Sequence, residues 1–571
     1  MSQPEDGIKT ATTTTTAARS KSSGNNSDIM VDVTLSSTQR VTNEDDGSSS
    51  SCCLEAYRPE AWQYALYHIT VSVLGGSVVC SIPIGFAYLQ WWGAIILFVA
   101  STVFTFYSGW CLIELQTFED RTYSDIADRC MKSPGWANKF VRPFQALVFF
   151  VVTVLNILVL GMGYVALDDI VNNTQTLSLS VWIVIGGITF LVFALIPNLD
   201  QQWALSLLGT VCGIFIAIMV TTGSGIAMSN GSRDDIESSN NSNSNGDDMY
   251  GRVFDDNLDF IMGVFDAFGI IALAYGGHSV LPDVQASLKA PSTPSSKGPK
   301  GMQHSDYRVD TRNDVSSPNG LETWRRKQMK TGLFGAYSII APCYLVVGIV
   351  GYLAFGKGVS GFVVDDISDY VMSDVFVGLA WIFLMVNAIA LGAIYVQAAF
   401  ILIEDILPSL VANKQDFDND CEESSPPSPD ESLEHPTAKS DDNESAGDAR
   451  EEVIQDDASV SSRSFSLPYT SRQLLMRISL VSLCTFVACA FPSFANLGGL
   501  IGSVGFIPLT FVYPILFWNC SDRGNQSPRW VRIMNWILIV VWTIVGVCGM
   551  VGSTYFIVQS TGSYGFFPYS N

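Results

Sequence analysis

Apolar residues in this chain are gathered into long runs rather than spaced into stripes. Eleven runs stand out, at 62–90, 92–117, 143–170, 180–197, 202–228, 258–286, 331–355, 373–403, 474–494, 499–518 and 533–558. Each reaches or approaches the roughly 20 residues a helix needs to cross a bilayer. Lys and Arg occur only near their ends. A helix in a soluble core keeps a polar face; these mostly keep none, so hydropathy predicts an all-α integral membrane protein with eleven transmembrane helices.

Polarity changes abruptly around the runs. Residues 1–60, rich in Ser, Thr and Asn, read as a disordered tail, and 559–571 as a short C-terminal tail. The membrane domain spans 61–558 and is interrupted by two stretches that read as disordered loops. One is 290–328, rich in Ser, Pro, Gly and Lys. The other is 413–463, with 16 Asp/Glu against 4 Lys/Arg.

Composition then narrows the function. Of 571 residues, 48% are apolar and 15% charged, with a net charge of −23. That balance argues against nucleic-acid binding, which needs clustered basic residues. No C-x-x-C occurs among the 12 cysteines, and no pair has metal-site spacing with a nearby His. Neither a metal nor a cofactor is expected, nor a disulfide scaffold. Cys52–Cys53, shortly before the first run, are candidate palmitoylation sites. The first 50 residues hold no apolar core of a cleavable signal.

Loop charge sets an orientation. With the N-terminus in the cytoplasm and the C-terminus outside, 28 of 31 Lys/Arg fall on the cytoplasmic side, the positive-inside pattern. Sequons at Asn172, Asn230 and Asn240 then lie outside and are expected to carry glycans. Those at Asn519 and Asn525 lie inside and are expected to stay bare. The acidic outer loop 229–257 reads as a solvated, glycosylated segment.

Two runs are punctuated alike. The first reads VSVLGGSVVCSIP, with Gly75–Gly76 in mid-span and Pro83 beyond; the sixth reads ALAYGGHSVLPD, with Gly276–Gly277 and Pro282. Paired glycines weaken a helix by about 2 kcal/mol against paired alanines. Matching breaks in the first and sixth of eleven helices point to a five-plus-five inverted repeat with helix 11 appended. Unwound backbone is tolerated at membrane depth where it lines a cavity. The N–H groups of Gly75, Gly76, Ser77 and Val78 would face a carboxylate, and the carbonyl end at Tyr275, Gly276 and Gly277 an ammonium. The expected ligand is therefore a zwitterion with both charges on one carbon.

Ionisable residues in the runs add candidates for coupling. His68 and His278 lie in the two interrupted helices, whereas His304 and His435 lie in the loops. A histidine titrates near neutral pH, so His278 leads as a proton carrier, followed by Asp283, His68 and Glu114. Asp266 is a further acid near the membrane surface. Asn156 and Asn387 are uncharged candidates for substrate or interhelical hydrogen bonds.

These motifs resemble the amino acid/auxin permease family, nearest its plant lysine–histidine-transporter-like branch. The likeness rests on Ala336–Tyr337, Cys343–Tyr344, Gly351–Tyr352 and Phe355–Gly356 in the seventh run. It rests also on FDAFGIIALAYGGHSVLPDVQASL (265–288), WCLIEL (110–115) with RTYSDIADR after it, and GSVGFIPLTFVYPILFW (502–518). It covers about 60 to 558 outside the loops. The chain departs from the pattern at Gly76-Ser77-Val78, at His68-Ile69 and at Ile270, where the family carries an acid. The resemblance implies a leucine-transporter-like fold and proton-coupled symport of L-amino acids by alternating access, at the plasma membrane rather than a vacuolar or endosomal one. The partners are a small-molecule amino acid and the bilayer. Sodium coupling through oxygens such as that of Asn387, and an amino-acid sensor signalling through its cytoplasmic loops, are the competing readings. No nucleophile–base set or phosphate loop suggests an enzyme.

Overall fold

Inside a bilayer no water pairs with backbone N–H and C=O groups, so a spanning segment must pair its own. In the computed structural model the described residues accordingly form helices and turns, with no strand. The structure describes residues 59–172, 176–195, 203–231, 250, 252–254, 256–288, 318–371, 373–406, 471–491 and 494–561. The tail before Pro59, Cys52–Cys53, Asn240, His304, His435, the loop to residue 317, the acidic stretch 413–463 and the end from 562 lie outside them.

The helices are α1 (Ala61–Val73), α2 (Gly76–Leu115), α3 (Tyr123–Met131), α4 (Trp136–Phe140), α5 (Arg142–Asn172), α6 (Leu179–Ala194) and α7 (Trp203–Ser229). Then come α8 (Asn257–Ala274), α9 (Leu281–Ser287), α10 (Pro318–Phe355), α11 (Val363–Tyr370) and α12 (Asp374–Ile406). The chain closes with α13 (Ser471–Ala490), α14 (Phe494–Ile501), α15 (Tyr513–Cys520), α16 (Asp522–Asn525) and α17 (Arg529–Thr561). Residues Gly502–Val512, between α14 and α15, form a π-helix containing Pro508.

Nine helices among the described residues are long and apolar enough to cross a membrane. The difference from eleven has two causes. The first two apolar runs do not form two separate full-length helices: α1 has 13 residues, and the rest of its run continues into the second as the 40-residue α2. A helix of 40 residues would be about 60 Å long, twice the hydrocarbon core, and α2 is not straight. Gln90 leaves helical geometry (φ 57, ψ 179) and divides it. The second cause is α6, apolar but 16 residues long.

Burial separates an inner set of helices from an outer one. In α5 and α12, which pack on each other, 72% and 67% of the most apolar stretch is buried. In α17 the share is 22%, and Trp530, Ile533, Ile537, Val540 and Ile544 face outward at helical spacing. Such a face is suited to lipid. Where α17 packs on α8, small residues let the backbones close, as at Gly552, where a Cβ would lie 2.5 Å from the Asp266 nitrogen.

One loop boundary needs correction. Helix α10 starts at Pro318, inside the stretch 290–328 read as disordered. Arg326 pairs with Glu322 one turn earlier. The same turn caps its neighbours: Arg325 donates to the Leu288 carbonyl (3.1 Å), just past α9, and Arg326 to that of Gln116 (2.9 Å), just past α2. Cations at helix C-termini complement the helix dipole.

Candidate functional site

The first interruption lies between α1 and α2. Leu74 turns out of the helix (ψ 66) and Gly75 is extended (ψ 127). The freed backbone groups find side chains. The Tyr395 hydroxyl donates to the Ser72 carbonyl (3.3 Å) and that of Tyr344 to Val73 (2.5 Å). Asn387 donates through Nδ2 to Leu74 (3.4 Å) and to Gly209 on α7 (2.8 Å). Its Oδ1 accepts from the Gly76 N–H (2.6 Å).

The second interruption follows α8. Tyr275, Gly276 and Gly277 separate it from a 3-10 turn, His278–Val280, that leads into α9. The Gly276 carbonyl accepts from Tyr395 (3.3 Å), so one hydroxyl joins both interruptions. Glycine is required at 276 by crowding: a Cβ would lie 2.2 Å from the Phe506 ring. At Gly277 it would lie 2.6 Å from Val73, so the two interruptions touch.

Between them is a small cavity. Its polar lining is Ser72, Ser77, Asn156 and Tyr395, with backbone from Gly75 and Gly276. Val73, Val78, Val152, Leu155, Leu273, Leu391, Phe494 and Phe506 supply apolar wall. Among the described residues no charged side chain lines it. Ser77 and Val78 stand in the first turn of α2, where N–H groups have no partner in their own helix. On the other side α8 ends at Ala274, where the Tyr275 and Gly276 N–H groups donate to the Ile271 (3.3 Å) and Leu273 (3.1 Å) carbonyls.

Four of the seven residues read as substrate contacts therefore line the cavity: Gly75, Ser77, Val78 and Gly276. Three do not. The Gly76 N–H is taken by Asn387, and a Cβ there would meet Ile216 (2.5 Å) and Leu384 (2.9 Å). The Tyr275 hydroxyl bonds Thr102 (2.6 Å) on α2, and Gly277 packs on Val73.

The ionisable candidates lie apart from the cavity and from one another. His278 is buried against α2, with Nε2 2.9 Å from the Thr105 carbonyl and 3.0 Å from the Ser108 hydroxyl. A carbonyl can only accept, so the proton sits on Nε2. Nδ1 is then a buried basic nitrogen without a hydrogen-bond partner among the described residues. His68 bonds Ser206 on α7 (3.0 Å). Asp283 is half-buried on α9, and no ion pair joins it to a described residue. Glu114 pairs with Lys330 and with Arg523 (3.0 Å), an ion cluster that ties α2, α10 and α16 together rather than a free acid at membrane depth. Asp266 accepts from Ser553 on α17 (2.5 Å). Asn156 lines the cavity; Asn387 clamps the first interruption.

Asn172, at the end of α5, donates to Asp168 (2.7 Å), and Asn230 donates to the Tyr370 carbonyl (2.9 Å). Asn519 is buried and accepts from Asn535 (2.9 Å). Sequence reasoning misses Tyr395 and the aromatic wall. Tyr395 lies in a largely apolar run, AIALGAIYVQAAF, with no local mark of its role.

The family model described as "transmembrane amino acid transporter protein" matches residues 58–300 and 321–559. Two relatives from Arabidopsis thaliana are similar along most of their length. "GABA transporter 1" is 25% identical over 472 residues, 80% of this chain and 82% of the relative. "Lysine histidine transporter-like 6" is 23% identical over 473 residues, 81% and 83% respectively. Among solved structures, MhsT in complex with L-phenylalanine aligns at 13% identity and a TM-score of 0.41, covering 86% of this chain and 98% of that one. MHP1, a nucleobase-cation-symport-1 family transporter, aligns at 10% identity and a TM-score of 0.43, covering 89% and 93%.

Proposed function

The chain belongs to the transmembrane amino acid transporter protein family, and from that premise we propose that it is a secondary active symporter carrying L-amino acids with protons by alternating access. It is an integral membrane carrier of the amino acid class, not an enzyme. The substrate site, the coupling ion and the sidedness are parts of the proposal.

The observation that carries the reading is the cavity between two touching helix interruptions. One wall offers the N–H groups of Ser77 and Val78 at the positive end of a helix, suited to a carboxylate. The opposite wall is the carbonyl end of α8, suited to an ammonium. With the Gly76 N–H engaged by Asn387, the carboxylate donors narrow to two backbone groups and the Ser77 hydroxyl. In this reading α1 and the first part of α2 form one interrupted spanning helix, and α8 with α9 form its counterpart. They are the corresponding members of two five-helix halves in an eleven-helix protein. Rocking of the halves exposes the cavity to each side in turn.

His278 is the proposed proton site. It directly follows the second interruption, and its Nδ1 is buried with a free lone pair. A proton there moves the charge of the segment that lines the substrate cavity. Sodium coupling remains the alternative at Asn387, whose oxygen accepts from the Gly76 N–H and keeps a second lone pair. The orientation keeps the N-terminus cytoplasmic, with the Glu114–Lys330–Arg523 cluster on the cytoplasmic side, and the plasma membrane is the proposed location. Glycan mapping at Asn230 against Asn525 tests the sidedness.

The reading is tested by uptake of a labelled amino-acid panel, 4-aminobutyrate included because one relative bears that name, into proteoliposomes under imposed pH or sodium gradients. Uptake driven by an inward proton gradient supports it. Absence of uptake of every amino acid, under either gradient, overturns it.

A further inference from the structure

Among the described residues, the cavity wall carries a buried acceptor without a hydrogen-bond partner. Asn156, on α5, is 2% exposed and lines the cavity. Its Nδ2 donates to the Val152 carbonyl one turn back (2.8 Å), while its Oδ1 has no hydrogen-bond partner among the described residues. The orientation of the amide follows from that bond, since the flipped amide would set two oxygens against each other. Its position is held by close packing: a Cβ on Gly392 would lie 3.3 Å from the Asn156 Cβ and 2.3 Å from Phe190. A buried acceptor left open on a cavity wall is satisfied when a ligand brings a donor.

The acceptors nearby define that donor. The Ser72 and Gly276 carbonyls, from the two interruptions, both accept from the Tyr395 hydroxyl at 3.3 Å. Each carbonyl oxygen keeps a second lone pair. Asn156 lines the same cavity and adds an open acceptor to it; an ammonium brings three N–H donors. The remaining wall is apolar and carries no counter-charge, so a side chain with its own charge would be desolvated there without a partner.

Resting on the transport reading above, we propose that Asn156 Oδ1 holds the substrate's ammonium and that the cavity accepts amino acids with uncharged side chains. The test is equilibrium binding to the purified full-length protein, by competition against labelled leucine. The competitors are leucine, its 2-hydroxy analogue lacking the ammonium, lysine and glutamate. Asn156→Ala should weaken leucine by about tenfold, the loss of one charge-assisted hydrogen bond, and leave the analogue's weak binding unchanged. Asn156→Asp, which keeps an acceptor, should retain most of the leucine affinity. Leucine should outcompete lysine and glutamate on the wild type.

Equal leucine affinity in wild type and Asn156→Ala overturns this inference alone, as does equal competition by lysine or glutamate. No binding of any amino acid by the wild type overturns the transport reading and this inference with it. Should Asn156→Ala not fold, the wild-type comparison decides: a 2-hydroxy analogue that binds as tightly as leucine removes the ammonium anchor.

Discussion

The Asn387 side chain replaces the backbone bonds that the chain loses at Gly76. Its Oδ1 accepts from the Gly76 N–H at 2.6 Å while its Nδ2 donates to Gly209 at 2.8 Å, so one amide fixes the interruption to α7. Asn387→Leu keeps the volume and leaves the Gly76 N–H unpaired in an apolar setting, at about 1–3 kcal/mol. The variant should melt several degrees below wild type in detergent and lose most uptake. A variant as stable and active as wild type would show that water or a rearranged backbone takes over the Gly76 bond.

Two glycines separate fold from cavity. A Cβ at Gly276 would sit 2.2 Å from the Phe506 ring, against 3.1 Å from a Leu391 methyl at Gly75. Gly276→Ala should therefore abolish uptake and destabilise the protein by about 1–3 kcal/mol, the usual cost of overpacking. Gly75→Ala should fold, and raise KM most for bulky substrates because it narrows the cavity. Uptake kinetics on the two variants, with melting curves as control, check the contrast.

His278→Ala should flatten the pH dependence of uptake and leave protein at the membrane, because the proposed proton site is gone. Ser108→Ala removes one of the two bonds at Nε2 and leaves the Thr105 carbonyl in place; it should shift the pH profile without flattening it. Unchanged pH profiles in both would make His278 a packing residue.

Outside the spans, α11 carries two pH-sensitive carboxyls, Asp365 and Asp366; burial pushes Asp365 up to about 6, and Asp366 and Asp369 add to the rise. Burial pushes Asp366 up to about 6, the Ser360 N–H (2.9 Å) pulls it back, and Asp369 adds to the rise. A carboxyl raised above its ordinary 3.8 stabilises the folded form while protonated, and that contribution is lost as pH climbs through about 6. Hydrogen exchange of 363–370, corrected for its intrinsic rate, should be slower at pH 5 than at pH 7.5. Asp366→Asn should reduce the difference and Asp365→Asn combined with it should remove it; a difference that persists in the double variant would place the titrating groups elsewhere.

How much of the molecule is legible from sequence depends on whether a signal is local. Apolar runs report bilayer solvation residue by residue, so spanning helices such as α5, α7 and α12 are visible directly. Glycine pairs act locally too: Gly75–Gly76 and Gly276–Gly277 lie where the helices stop. The division of α2 at Gln90 is legible too, since the first apolar run ends at 90 and the second begins at 92. Glu114 reads as an isolated intramembrane acid because its partners, Lys330 and Arg523, are more than 200 residues away in the chain. Tyr395, which joins both interruptions, and Phe506, in the π-helix, are hidden for the same reason: their roles are set by distant backbone.

The central claim, proton-coupled amino acid entry, is tested most directly by a pH-sensitive dye trapped in proteoliposomes. Leucine added outside, in sodium-free buffer and without an imposed gradient, should acidify the lumen as it enters. The acidification should scale with uptake and vanish in Asn387→Leu. Leucine uptake with no change in luminal pH, or uptake that appears only with sodium, would contradict the account.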